Sequence, residues 1–195
     1  IFEQITPFTN HPVINCGSGD AQHPTQALID SFAMTHKFGG LDGLNITMTG
    51  ALRHSRAARS LFELLSQFNG ITVTSFTEPQ LQFNDAEIAR FTQDGKNRYI
   101  FTDDMKWGGE QVVYSAGFPP KNASGTFDQE TRDRYRITAD VVDKLQRDAI
   151  ILNPLPRIDE IDTVVDTVSQ AYYFKQNELA LPMRKAVLAR YCLQS

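Results

Sequence analysis

Three short segments of this chain carry side chains whose types and spacing suit chemistry on a small anionic ligand. In Gln22-His23-Pro24-Thr25-Gln26, Pro24 fits a first helical turn, which leaves His23 and Gln26 beside the positive N-terminal end of a helix. An imidazole there resists protonation and can donate a hydrogen bond to a carbonyl oxygen as charge develops on it. Gln26 offers both a donor and an acceptor, which suits an amide-like group. The plainer alternative makes His23 a capping-region side chain with its own backbone partner.

The second segment is Gly50-Ala51-Leu52-Arg53-His54-Ser55-Arg56. Arg53 and Arg56 are three apart and flank an incoming helix whose dipole repels them unless an anion sits between. That favours a carboxylate or phosphate site, against the alternative of a surface Arg pair. In the third, Asn153-Pro154-Leu155-Pro156-Arg157, two prolines remove two donors and leave carbonyl oxygens free to accept from a ligand NH₂. A rigid turn is the alternative, with Arg157 paired to a following acid. His11 and His36 have no partners at ligand spacing, so no metal site is expected.

The elements that must hold these segments alternate short apolar runs with amphipathic ones, the pattern of strand–helix units around a parallel sheet. Strands are expected at Val13–Cys16, Asn45–Thr49, Ile71–Phe76, Arg98–Phe101, Val112–Ser115 and Ala149–Leu152. Helices are expected over Pro24–Lys37, Ser55–Phe68, Asp85–Gln93, Thr131–Arg134 and Ala139–Leu145, with a last one from Pro182 to Tyr191. Ser55 is the expected N-cap of the second helix. Phe118–Gly125 reads as a loop, and the Arg132-Asp133-Arg134-Tyr135-Arg136 cluster as a solvated face. The result is a single α/β domain, a doubly wound, Rossmann-like parallel sheet with helices on both faces. Ligands gather at the C-terminal strand ends of such sheets, where Gly17–Gln26, Gly50–Arg56, Gly117–Lys121 and Asn153–Arg157 would converge.

With 195 residues, 41% hydrophobic and 22% charged, the chain can fill one core. A net charge of −4 argues against nucleic-acid or anionic-membrane partners. The longest apolar runs are far short of a membrane span, and no secretory signal opens the chain. Two cysteines, Cys16 and Cys192, are too few for a disulfide framework and read as buried thiols. Together these features predict a cytoplasmic protein. Gly17-Ser18-Gly19 lacks the third glycine of a dinucleotide fingerprint, which disfavours that class.

Val13-Ile14-Asn15-Cys16-Gly17, the Gln22–Leu28 element, Leu41-Asp42-Gly43-Leu44, His54-Ser55-Arg56, Leu155–Ile161 and Tyr173-Phe174 together resemble the amino-acid-binding half of the aspartate/ornithine carbamoyltransferases. The His-Ser-Arg and Leu-Pro-Arg-x-Asp-Glu-Ile elements resemble the aspartate branch. The resemblance implies transfer of a carbamoyl group from carbamoyl phosphate to L-aspartate, without metal or organic cofactor. It implies that His23 polarises the carbamoyl oxygen with Thr25 nearby. Gln26 and the Leu155 and Pro156 carbonyls would hold the NH₂, and Arg56 the α-carboxylate. Arg157 would also belong to the substrate site. Family members are trimers, so a homotrimer is implied, with regulatory chains as further possible partners.

Two features depart from the family pattern. Ala51 stands where an acid is usual, and Gly117 and Pro119 stand where an Arg and a Gln normally meet the acceptor's side-chain carboxylate. Lys121 is the nearest substitute cation. The carbamoyl-phosphate domain, with its phosphate loop, does not occur in these residues. The expected organisation is therefore a remnant of an interdomain segment over 1–12 and an amino-acid-binding domain over 13–195, inactive without the other half. Two alternatives fit the departures: a carbamoyltransferase for another amine, or a non-catalytic paralogue that binds a partner or an amino acid.

Overall fold

β1 (Asn45–Thr49) is the central strand of a five-stranded, all-parallel sheet with β2 (Thr72–Phe76), β3 (Arg98–Thr102), β4 (Val112–Ser115) and β5 (Ile150–Leu152), in the order β3-β2-β1-β4-β5. The computed structural model describes residues 2–19, 21–93, 95–119 and 127–192. Its helices are α1 (Phe2–Ile5), α2 (Pro24–Phe38), α3 (Arg56–Leu65), α4 (Asp85–Thr92), α5 (Gln129–Arg134), α6 (Ala139–Val142) and α7 (Tyr173–Cys192). The strands are rich in β-branched residues, which suit a pleated, buried surface. Alternate side chains serve two faces. Val112, Tyr114, Ile150 and Leu152 join the core beneath α2, α3 and α7, while Val113 and Ile151 pack with Ile137, Val142 and Val165 on the other side.

The sheet is thus covered on both faces, as a parallel sheet requires. From β1 the chain winds outward to β2 and β3, then returns to place β4 on β1's other flank. Connections leaving β1 and β4 diverge, and a crevice opens between them. At its floor the Ala51 N–H donates to the Gly117 carbonyl over 3.0 Å. A Cβ on Gly50 would lie 3.0 Å from that carbonyl oxygen, so the close approach needs glycine there.

Several expectations are corrected. Val13–Cys16 forms no strand; it is a surface connection whose Asn15 side chain accepts from the Gly17 N–H at 2.9 Å. The edges of the sheet belong to β3 and β5, so five strands replace six. Cys16 is exposed, as its place on that connection dictates; the Cys192 side chain lies outside the described residues. The last helix begins at Tyr173, nine residues before Pro182, which sits inside it. Tyr173, Gln176 and Leu179 are buried at three-residue spacing, and this packing of the first turns outweighs the proline's missing donor. In the basic cluster Arg132 is buried, not solvated. It donates to the Pro119 carbonyl at 2.5 Å and to Asp159 at 2.8 Å, and lies over the Phe118 ring.

Candidate functional site

The crevice holds two abutting cavities of about 550 and 770 Å³, and His23, Gln26, Pro154, Leu155 and Pro156 line both. The larger one is completed by Arg53, Arg56 and Gly117–Pro119, the smaller by Arg157, Gln176 and Arg184. Neither has a carboxylate among its described lining residues. A concave surface with guanidinium groups and no acid attracts anions.

His23 is the N-cap residue of α2, but its side chain caps nothing. Its N–H is taken by the Ser60 hydroxyl at 2.8 Å, and its carbonyl starts the helix by accepting from Gln26 and Ala27. The ring is free to face the crevice, with Nδ1 3.4 Å from the hydroxyl of buried Thr25. Burial, then the nearby Arg56 and Arg184 charges, hold its pKa below the ordinary value and favour the neutral imidazole. The neutral form was expected from the helix dipole; burial and two arginines reinforce it.

Arg56 opens α3, which Ser55 caps by accepting from the Ala58 N–H at 3.1 Å. Its guanidinium folds over the connection before α2 and donates to the Gly19 carbonyl at 2.9 Å. Arg59 stands close by, but Glu87 neutralises it through a 2.5 Å ion pair. Arg53 and Arg56 form no ion pair among the described residues. They share the larger cavity, in keeping with the anion site inferred from their spacing.

The 153–160 turn is tightly held. Asn153 accepts from the Leu155 N–H at 2.7 Å, and Glu160 accepts from the Asn153 amide and from the Ile158 and Asp159 N–H groups. Arg157 grips Asp166 with both terminal nitrogens, one of them at 2.5 Å, and contacts the Tyr173 hydroxyl. An internal ion pair was the alternative expected for Arg157, with an acid inside 157–161. The partner is instead Asp166, since Asp159 is taken by Arg132 and Glu160 by Asn153 and two N–H groups. A direct substrate contact would require Arg157 to leave Asp166. Gly117 lies in the left-handed region at φ 69°, and a Cβ there would be 2.7 Å from a Glu160 oxygen. Glu160 therefore fills the space beside the position where the family pattern expects an Arg. Lys121 lies outside the described residues.

The sequence reading missed Asp30, Gln176 and Arg184. Asp30 is fully buried on α2 and accepts from Gln26 at 2.7 Å and from Gln176 at 2.6 Å. The signal was present: Gln26 and Asp30 are four apart, so they share one helix face that also carries apolar Ala33.

A doubly wound α/β domain with an arginine-lined crevice at its switch point, free of carboxylates among its described lining residues, has the architecture and charge of a domain suited to anions. The model of the aspartate/ornithine carbamoyltransferase Asp/Orn-binding domain matches residues 42–191, and the chain belongs to that family. The aspartate carbamoyltransferase catalytic subunit of Thermoplasma acidophilum is 35% identical over 94% of this chain and 60% of its own length. That of Pyrobaculum neutrophilum is 36% identical over 91% and 59%. Among solved structures, the catalytic subunit of M. jannaschii aspartate transcarbamoylase superposes with a TM-score of 0.88 at 28% identity, over 99% of this chain and 63% of that one. The Trypanosoma cruzi enzyme in complex with aspartate and phosphate gives 0.83 at 28%, over 96% and 60%. The chain thus spans about 60% of the length of the curated relatives it matches.

Proposed function

We propose that these residues form the acceptor-binding half of an aspartate carbamoyltransferase. The reaction converts carbamoyl phosphate and L-aspartate to N-carbamoyl-L-aspartate and phosphate. The observation that carries the reading is the single crevice shared by His23, Gln26, Arg56 and the Leu155–Pro156 turn. The amine attacks the carbonyl carbon and negative charge collects on its oxygen. Neutral His23 donates to that oxygen, with its ring steadied by Thr25, an oxyanion-type contribution on the order of 3 kcal/mol. Gln26 and the Leu155 and Pro156 carbonyls accept from the NH₂ and aim the carbon at the amine. Arg56 takes the α-carboxylate. Arg157, locked to Asp166, keeps the turn in place.

The phosphate grip comes from a carbamoyl-phosphate domain outside these residues, joined through the 1–12 segment, and the 195 residues alone turn nothing over. The reading needs no metal or organic cofactor. A cytoplasmic homotrimer, with regulatory chains as further partners, fits the family resemblance. Lys121 supplies the second cation for the aspartate side chain; Lys121→Ala in the complete enzyme is then expected to raise the aspartate KM, and an unchanged KM removes it.

A second reading, transfer to a different amine, rests on Gly117 and the Glu160 side chain beside it. The complete enzyme, assayed with carbamoyl phosphate and a panel of amino acids, separates the two. Turnover with aspartate supports the first reading, and turnover only with another amine supports the second. Silence from a folded enzyme refutes both and leaves a non-catalytic paralogue.

A further inference from the structure

We infer that Asp30 is a positioning residue that sets both jaws of the clamp closing on the carbamoyl NH₂. The inference rests on the function proposed above. One jaw is the Gln26 side chain on α2; the other is the carbonyl-bearing 153–156 turn after β5. No backbone ladder joins them. One Asp30 oxygen accepts from Gln26 Nε2 at 2.7 Å and from Gln176 Nε2 at 2.6 Å. Gln176 Oε1 in turn accepts from the Asn153 N–H at 3.0 Å, and Asn153 Oδ1 from the Leu155 N–H at 2.7 Å. The chain of contacts runs unbroken from one jaw to the other. Its four side chains are all buried, from Asp30 at 0% exposure to Gln26 at 8%.

The chemistry of a carboxyl group explains why this arrangement matters. With its oxygen offered to two amides, Asp30 takes the nitrogen end of each. Gln26 is left with Oε1 toward the cavity, the acceptor that an NH₂ needs. Gln176 is left with Oε1 toward the Asn153 N–H. Without Asp30 the Gln26 amide is free to turn and present its own NH₂ to the substrate, donor against donor. The Tyr114 phenol on β4 faces the same carboxyl, so all three packed elements converge on it.

The test uses the complete enzyme and the Asp30→Ala and Asp30→Asn variants. Asp30→Ala is expected to lower kcat on the order of 10²-fold, with the amino-acid KM nearly unchanged because Arg56 is not in the chain of contacts. Asp30→Asn keeps one acceptor oxygen and is expected to recover most of the loss. A parental kcat in Asp30→Ala, or equal kcat losses in both variants that track equal losses of thermal midpoint, overturns the inference. Should Asp30→Ala not fold, Gln176→Met cuts the link to the turn alone; lower kcat at constant KM supports the inference and unchanged kcat refutes it. A parent silent with every amine overturns the functional reading only. The Gln26 side chain in neutron crystal structures of parent and Asp30→Asn, where the amide hydrogens are seen directly, then decides, an amide still turned to residue 30 by its nitrogen supporting the inference and a reversed one in the parent ending it.

Discussion

In the proposed function, recognition of the acceptor depends on Arg56. Among the described residues its guanidinium hydrogen-bonds a carbonyl and forms no ion pair. Arg56→Ala is expected to remove about 1.5–3 kcal/mol of charged hydrogen bonding and raise the amino-acid KM roughly 10- to 100-fold. Steady-state kinetics that show the parental KM would exclude it from the site. His23 makes the second residue-scale prediction. Burial and two arginine charges disfavour its protonated form, so its titration by NMR should centre below the ordinary value of 6.5. Any acid-side loss of activity due to His23 therefore begins below that pH, and the associated stability falls only as pH drops and the unfolded chain gains the proton first. A midpoint above 6.5 contradicts the site electrostatics.

At the scale of elements, the loop after β4 is fixed by Gly117. Left-handed backbone and the 2.7 Å approach of a Cβ to Glu160 both oppose any side chain. Glu160 cannot easily yield, because it already accepts from the Asn153 amide and two N–H groups. Gly117→Ala should cost about 2–5 kcal/mol, read as a lowered denaturant midpoint; a neutral substitution would mean the loop is not held this way. The same elements show what could be read in advance. Asn45–Thr49 and Val112–Ser115 match their strands because β-branched runs bounded by glycine leave little choice. Ser55 caps its helix as its residue type and position suggested. The start of α7 was hidden because a proline at the first turn and a proline nine residues in look alike until tertiary burial is known. Val13–Cys16 has strand composition but no strand to pair with. The three loop segments were found by their side chains; Asp30 left a trace in its four-residue spacing from Gln26, whereas Gln176 escaped because a buried hydrogen bond between distant helices leaves none.

At the scale of the whole molecule, Asp30 connects the site to stability. Burial pushes its pKa from 3.8 up to about 7. The folded chain therefore binds a proton that the unfolded chain has already lost, and stability falls as pH climbs from about 4 to 7, then levels off. The full cost of ionisation is roughly 4 kcal/mol. Asp30→Asn should lack that fall and be at least as stable as the parent at pH 8. Thermal midpoints at pH 5 and 8 check this, and parallel slopes for the two proteins would contradict it. A group that costs stability when charged, yet orders both jaws of the crevice, belongs to function more than to the core.

The contact from Gln176 to Asp30 joins residues 146 positions apart. During synthesis the N-terminal jaw leaves the ribosome long before its counterpart, and no local folding can join the two. A nascent chain stopped short of α7 would already hold its sheet strands and the Gln26–Asp30 contact, yet have no means of tying that jaw to the 153–156 turn. Competence for ligand thus arrives only once α7 has been made, after the strands and helices that form most of this core.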